Sequence, residues 1–576
     1  MLEKIKTNRF CQFIWPYLLI ILATTIVISP QLISHTILAS DDTADTLFHY
    51  SRFYDAGMQL KSGIFSIFQT NFTFQQSGRI INAIYGPLFA YFNGILVLIA
   101  GNWFNYQVIL AYLISLLGAG SMYYLLKQVG INKLLATVMG IIYINIGMIP
   151  AFINRSSFNG WGQALMPLVV LCGVRMICDK KQPINWIQLM IVMSLLIQVH
   201  VLSTLMAVLL LIPFFIYSLI INNNSKKVWI PFIKAVLGTV VLSANVIGAF
   251  LVLMPTNHLS ATTEFDLSRG GLRPHMLWHN EYGTAFAYIL PIFVLLIIAQ
   301  FIYVVMHYKR DRLNTFVTIW GTVLLGLSSF VFPWGLVQRA FPSLKSYFQF
   351  PFRLTVVVYP LILLGMALTV NYLLKKGVKP KAVGISLVTI LLLEAAVPNI
   401  ITNHIFTVAC QKDAQVQVVA KQSTSDKMLE MLKWHYLPDY LPTKDKSIDQ
   451  NAAYLYKVNV VERYQKFDHR VTKNGDLVLS WKANKDNKIV LPVVLYTQSE
   501  LTVNSKKFSG AKNIIGNPIV NQKAGLNRAI LHFAVPSWFY VISAISLISW
   551  LLVIVFLLWK KFINNANCNN KLNTFS

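Results

Sequence analysis

Apolar runs near 20 residues recur along the whole chain, separated by short polar stretches that are mostly basic. A helix needs about 20 apolar residues to cross a bilayer, so this pattern predicts a polytopic α-helical membrane protein. Lys and Arg collect on the cytoplasmic side, and that rule orders the spans. Lys4, Lys6 and Arg9 precede a first span from Gln12 to Ser34, which puts the N-terminus in the cytoplasm and the stretch after it outside. Residues 85–100, YGPLFAYFNGILVLIA, look like a second span, but a crossing there would place Lys127, Arg175 and Lys309 outside. A helix that lies at the outer interface or re-enters it, started by Gly86-Pro87, keeps them inside.

The remaining spans follow: Tyr106 to Leu126, Leu134 to Ile153, Trp161 to Ile177, and two short helices within 184–221 hinged near Gln198-Val199-His200. A seventh span rises to Met254, an eighth descends to His307, a ninth rises to Phe332, and a tenth follows Arg353 and ends at Lys375 and Lys376. Val383 to Ile401 and Phe539 to Trp559 complete about twelve, with both termini cytoplasmic. Between the last two spans the pattern changes. Residues 403–535 hold half of the 22 acidic residues and no run long enough to span. Alternation in Leu477 to Trp481 and Ile489 to Tyr496, with Asn474-Gly475 as a turn signal, predicts a small extracytoplasmic β-sandwich. The domain reading is therefore a transmembrane domain over 1–402 with its first outer loop at 35–104, the β-domain over 403–535, and a last span with a cytoplasmic tail over 536–576.

Composition sharpens this picture in a few places. The chain is 55% hydrophobic and 12% charged, with a formal charge of +27. In a membrane protein that excess is chiefly topological, so it does not imply a nucleic-acid partner. Cys11, Cys172, Cys178, Cys410 and Cys568 form no CxxC pair and no disulfide-like spacing. The first span lacks a small-residue cleavage site and reads as a retained helix. Walker, GxGxxG, HExxH and GxSxG motifs are absent, which removes support for ATP-driven transport and zinc hydrolysis.

The candidate chemistry centres on Asp41 to Arg52, DDTADTLFHYSR, directly after the first span. Asp45, His49 and Arg52 fall at i, i+4 and i+7, on one face of a helix. Either this is an amphipathic connector with solvated charges, or it is a site. In a chain with so few charges, three acids at the mouth of a membrane protein favour the site. The other polar residues that the topology places outside are Arg155, His200, the 255–282 loop with Arg269, Arg273, His275 and His279, and Gln349 to Arg353. His275 and His279 are four apart, but two loop histidines are more often solvated than ligands, so no metal site is assigned. His200 at a hinge either caps backbone or serves a ligand. Arg353 after Pro351-Phe352 either snorkels or holds a lipid-linked phosphate.

These residues carry a resemblance. A span, an Asp-rich outer loop with D-T-L-F-H-x-x-R from Asp45 to Arg52, and a Y-G-P-L interfacial helix resemble the first outer loop of GT-C-type membrane glycosyltransferases. F-Q-F-P-F-R from Phe348 to Arg353 is similar to the QFPWR element of the bacterial YfhO-like group, with Phe352 where Trp is common, and His200-Val-Leu-Ser-Thr to that group's H-x-x-S segment. L-P-V-V-L-Y from Leu491, the turn at Asn504-Ser505 and the span after the β-domain match its layout. The resemblance implies a transferase in the bacterial cell membrane, moving a sugar from a polyprenyl-phosphate-linked donor to a cell-envelope glycan, glycolipid or protein. Under it Asp45 or Asp42 is the catalytic base. Asp41, His49, Arg52, His200, Arg269, Arg273, Gln349 and Arg353 bind substrate, and a divalent cation stays open. A transporter or flippase of a lipid-linked glycan would instead carry charged residues at mid-membrane, where these spans are almost clean, and an assembly scaffold would need only the β-domain.

Overall fold

The computed structural model describes residues 9–39, 44–222, 224–274, 288–412, 432, 438–443 and 449–573. In chain order its main helices are α1 (Arg9–Val27), α2 (Ala44–Ser62), α3 (Pro87–Ala100), α4 (Trp103–Gln128), α5 (Lys133–Ile144) and α6 (Met148–Arg155). They continue with α7 (Asn159–Cys178), α8 (Trp186–Val199), α9 (Val201–Ile221), α10 (Lys226–Leu242) and α11 (Ala244–Leu253). The last are α12 (Pro291–Met306), α13 (Arg312–Ser328), α14 (Thr355–Leu374), α15 (Val378–Lys412) and α16 (Ser537–Asn573). Among the described residues α4, α7, α9, α14 with its leading turn, α15 and α16 are long and apolar enough to cross a membrane. The pairs α5–α6 and α10–α11, bent by 53° and 64°, raise the count to eight if each is one span. The other four of the twelve spans predicted from sequence fall on the shorter helices α1, α8, α12 and α13.

The first predicted span is not one straight helix. α1 ends at Val27, and Pro30, whose fixed φ suits a first helical turn, opens a separate short helix over Ser29–Ser34. Helix α3 has 14 residues, which extend about 21 Å at 1.5 Å per residue and fall short of a bilayer core. It lies against α2 instead. Their backbones meet where Gly57 faces Gly94, and a Cβ on Gly94 would stand 2.6 Å from Gly57 N. Gly86, at φ +76°, starts α3 so close to the α8–α9 hinge that a Cβ would meet the Gln198 carbonyl oxygen.

Two helices form the axis of the bundle. The apolar windows of α7 and α14 are 78% and 94% buried, whereas that of α16 is 6% buried and lies at the edge. Without a hydrophobic drive between helices in lipid, close packing needs small residues and a few polar pairs. Gly160, Gly162 and Gly173 of α7 supply the first, each in contact distance of Met148, Ser203 or Phe214. Asn399 donates to Asn145 and Asn403 to Asn154, both at 2.9 Å, and Gln198 donates to Asn245 at 2.6 Å. Such pairs contribute about 0.6 kcal/mol each on average.

The C-terminal region is β-rich. A five-stranded antiparallel sheet joins β1 (Asp468–Val471), β2 (Leu477–Ala483), β4 (Ser499–Val503), β5 (Lys506–Lys507) and β7 (Gly525–Phe533), where β3 is Asn487–Val490 and β6 is Ile519–Gln522. The sheet order is β1-β2-β7-β4-β5, and β3-β6 is a separate pair. Leu477, Leu479 and Trp481 of β2 and Val520 of β6 share one apolar core, so the two sheets pack face to face. Asn504 and Ser505, at φ 48° and 65°, make the tight β4–β5 turn. The strand predicted over Ile489 to Tyr496 pairs only as far as Val490. Beyond it the backbone is buried, and its N–H groups reach the carbonyls of Pro518, Ser77 and Gly516 from Leu491, Val494 and Leu495. The helix α15 also runs on to Lys412, past the predicted domain boundary at 402.

The β-rich region sits on the loop between α2 and α3. Phe68 stacks on Phe533 at 4.9 Å, Tyr456 Oη bonds Ser77 Oγ at 2.9 Å, and Val494 N donates to Ser77 O at 2.9 Å. Asp55 of α2 holds the near side of that loop, its Oδ1 accepting from the backbone N–H of Asn71 and Phe72.

Candidate active site

Helix α2 is the base of the site, and its composition sets it apart from the spans. It carries Asp45, His49, Arg52, Asp55 and Lys61 in 19 residues and belongs to none of the apolar helices. Asp45 faces open space at its N-terminal end. Protein around it withdraws solvent and raises its pKa above the ordinary carboxylate value, and the charges of Arg353 and then Arg155 work the other way. Asp45 makes no hydrogen bond or ion pair with any described residue.

Two turns on, the chain buries a cation. Arg52 is fully buried and has no carboxylate partner among the described residues. Its guanidinium donates to Asn82 Oδ1 at 3.3 Å, to the Tyr85 carbonyl at 2.9 Å and to His49 Nδ1 at 2.9 Å. The Tyr85 ring covers it at 4.6 Å. Burial pushes its pKa down to about 10, which leaves it charged at neutral pH. The His49 ring stacks on Phe158 at 4.0 Å, and Phe53 lies beside both, 6.0 Å from His49 and 5.9 Å from Phe158. Burial first, then the charges of Arg52 and His200, hold its pKa well below the ordinary imidazole value.

Three other elements deliver the rest. α6 ends at Arg155, the turn before α14 carries Arg353, and His200 marks the α8–α9 break. Arg353 Nη1 donates to the Phe348 carbonyl at 3.1 Å, and its guanidinium lies 5.0 Å from the Phe350 ring. His200 caps α9, its Nδ1 accepting from Ser203 N–H at 3.3 Å, and burial first, then the charges of Arg353 and Arg52, push its pKa down to about 3. Of the residues singled out in the sequence, Asp45, His49, Arg52, Arg155, His200 and Arg353 therefore come together.

Others stand apart. Arg269 is exposed and paired with Asp266 at 3.6 Å, and Arg273 is exposed on a two-residue strand. Gln349 turns to the 255–274 loop, donating to Thr262 Oγ1 at 3.3 Å and to Thr263 O at 3.0 Å. Asp41, Asp42, His275 and His279 lie outside the described residues. Among the described residues no three His, Cys, Asp or Glu side chains gather to hold a metal ion.

Sequence reasoning missed four contributors. Tyr85 lies inside the Y-G-P-L block, and its ring and carbonyl both serve Arg52. Arg79 is a buried cation in a Gln-, Thr- and Asn-rich stretch that gives it no distinguishing pattern, and it donates to the backbone oxygen of Asp439. Asp439 and Tyr440 carry no pattern that sets them apart. They reach the site because residues 258–260 pair with 440–443.

No protein-family model matches this chain, and no curated protein matches it. Among solved structures, the crystal structure of ArnT from Cupriavidus metallidurans bound to undecaprenyl phosphate is similar over 69% of this chain and 76% of that one. The identity is 10% and the TM-score 0.38.

Proposed function

We propose that this chain is a GT-C-type membrane glycosyltransferase, of the YfhO-like kind, that moves a sugar from a polyprenyl-phosphate-linked donor to a cell-envelope acceptor on the outer face. The observation that carries the reading is the grouping of an exposed, unpartnered carboxylate, Asp45, with Arg353 at the start of a membrane-length helix and Arg155 at the end of the bent α5–α6 pair. In the reaction the acceptor oxygen bonds to the anomeric carbon as the bond from that carbon to phosphate breaks. Asp45 takes the acceptor proton. The polyprenyl phosphate leaves as an anion, and the two arginines offset its charge, so one base suffices. The raised pKa of Asp45 brings it nearer the working pH, where a general base is most effective.

The orientation follows from charge. Lys127, Lys133, Lys375, Lys376, Lys560 and Lys561 lie at helix ends on the cytoplasmic side of a twelve-span arrangement, with Asp45 and the β-rich region opposite. Asp45→Asn keeps the shape and removes the proton acceptor. Transfer should fall by about a hundredfold or more, read by mass spectrometry of surface glycans from cells with wild-type, variant or no protein. Full activity in both Asp45→Asn and Asp42→Asn would overturn the reading, and loss in Asp42→Asn alone would move the base upstream.

A further inference from the structure

Residues 438–443 form a strap that the C-terminal region lays over the site. Its backbone is pinned on both edges. Ser260 N donates to Leu441 O at 2.7 Å, Tyr440 N to Ser260 O at 3.1 Å and Thr443 N to His258 O at 2.8 Å. Ser260 Oγ bonds Pro438 O at 2.8 Å, Tyr496 Oη donates to Tyr440 O at 3.1 Å, and Arg79 grips the backbone oxygen of Asp439. So many bonds hold Tyr440 at φ +63°, a left-handed conformation that a bulky residue adopts only when its surroundings impose it.

The strap brings two side chains to the same place. Tyr440 Oη donates to Tyr85 Oη at 3.2 Å, and the rings meet edge to face at 5.8 Å, so Tyr85 and Tyr440 make one half-exposed aromatic corner beside Arg52. Asp439 is half-buried, and its carboxylate has no hydrogen bond or ion pair among the described residues, while Arg79 bonds its backbone. Burial raises its pKa to about 6, Arg79 lowers it, and the charge of Asp45 raises it. The charge of one unpartnered carboxylate thus bears on the other.

What would two such carboxylates and an aromatic corner bind? An anion is repelled by both acids. A cation beside Asp45 is repelled by Arg353 and Arg155. A neutral polyol fits, since its hydroxyls donate to carboxylates in charge-assisted hydrogen bonds while its C–H face covers aromatic rings. We infer that Asp439, Tyr440 and Tyr85 form a carbohydrate-binding subsite, which receives the hydroxyls of a neutral sugar opposite Asp45 and is supplied by the C-terminal region. This rests on the transferase reading for its meaning, and it explains why a β-rich region is clamped to the loop between α2 and α3: the clamp sets the height of the strap over Asp45.

The test is saturation-transfer NMR on the full chain in a detergent without a sugar headgroup, with methyl glycosides of glucose, galactose, mannose and N-acetylglucosamine as probes. At least one glycoside should receive saturation on its ring protons. The effect should drop at least tenfold in Asp439→Asn, which keeps the side-chain shape, and in Tyr440→Ala, and should persist in Tyr440→Phe, which keeps the ring. No saturation of any glycoside, or equal saturation in Asp439→Asn, overturns the subsite. Binding that appears only with added Mg²⁺ or Mn²⁺ overturns it in favour of a cation site. The two readings fail separately: Asp45→Asn without effect on surface glycans sinks the transferase and leaves the subsite, whereas absent glycoside binding with glycan loss in Asp45→Asn sinks the subsite alone.

Discussion

Arg52 Nη1 lies 2.9 Å from His49 Nδ1, and a guanidinium can only donate. The imidazole must therefore accept at Nδ1 and carry its proton on Nε2. With Phe158 stacked on it at 4.0 Å and Arg52 at Nδ1, the ring has one orientation and one neutral tautomer. Neighbours four and seven residues from Asp45 thus give the site a fixed neutral N–H beside a base.

Arg52→Ala removes three donated bonds at once and leaves Asn82 Oδ1, the Tyr85 carbonyl and His49 Nδ1 buried without a donor. Unfolding in increasing SDS should show a loss of about 2–4 kcal/mol. Arg52→Lys keeps the charge but cannot span the three acceptors, and should recover less than half of the loss. Wild-type stability in Arg52→Ala would show that the cluster is not organised by this cation.

Asp45 sets the acid limb of the pH–rate profile. Its folded pKa is raised, so kcat/KM should fall on acidification at a pH above the ordinary carboxylate range. Arg353→Gln and Arg155→Gln each remove a positive charge that favours the carboxylate. Both should move the acid limb to still higher pH, Arg353→Gln further. A limb that stays put in both variants would mean that Asp45 is not the titrating group.

Asp55 titrates against stability in the opposite sense to a salt-bridged acid. Burial pushes its pKa up to about 7, although Phe72, Gln59 and Asn71 donate to it. The folded protein thus holds a proton between about pH 4 and pH 7 that the unfolded chain, at a carboxylate pKa of about 3.9, has lost. Stability from this group is full below pH 4, declines as pH rises to 7 and is flat above, with a total change of at most about 4 kcal/mol. Subtracting the SDS-unfolding pH profile of Asp55→Asn from that of wild type isolates the slope; a difference that does not change with pH removes Asp55 as its source.

Gly94 allows α3 to lie on α2. Gly94→Ala puts a methyl group 2.6 Å from Gly57 N, and neither backbone can yield cheaply. The helix pair should separate at a cost of about 1–3 kcal/mol. Gly101→Ala, where a Cβ meets nothing within 4 Å, is the control for local effects, although its φ of +72° carries its own strain. Equal stability of Gly94→Ala and wild type would contradict the close approach.

Cysteines placed at Asn102 and Asn132, at the two ends of α4, should label from opposite sides, Asn102 with an impermeant reagent in whole cells and Asn132 only after lysis. Labelling of Asn102 from the cytoplasmic side would end the re-entrant reading of residues 85–100.

Several features were decided by local sequence. Apolar runs of membrane length became helices because a buried backbone in lipid must satisfy itself, and α4, α7, α9 and α16 appear close to where the runs stand. Gly86-Pro87 opened α3, and His200 broke 184–221 into α8 and α9, because Gly, Pro and a capping side chain act within one turn. Asp45, His49 and Arg52 share a helical face for the same short-range reason. What only the tertiary structure decided is what long-range packing controls. Ile489 to Tyr496 alternates as a strand should, yet in its second half Val494 bonds Ser77, 417 residues earlier in the chain, rather than a ladder partner. Gln349 and Arg353 are four apart in sequence, yet the first, in the turn before the short helix, holds a loop and the second bears on Asp45. Asp439 and Tyr440 have no periodicity or motif to mark them, because their place over the site comes from pairing with His258 and Ser260, a contact that no local pattern encodes.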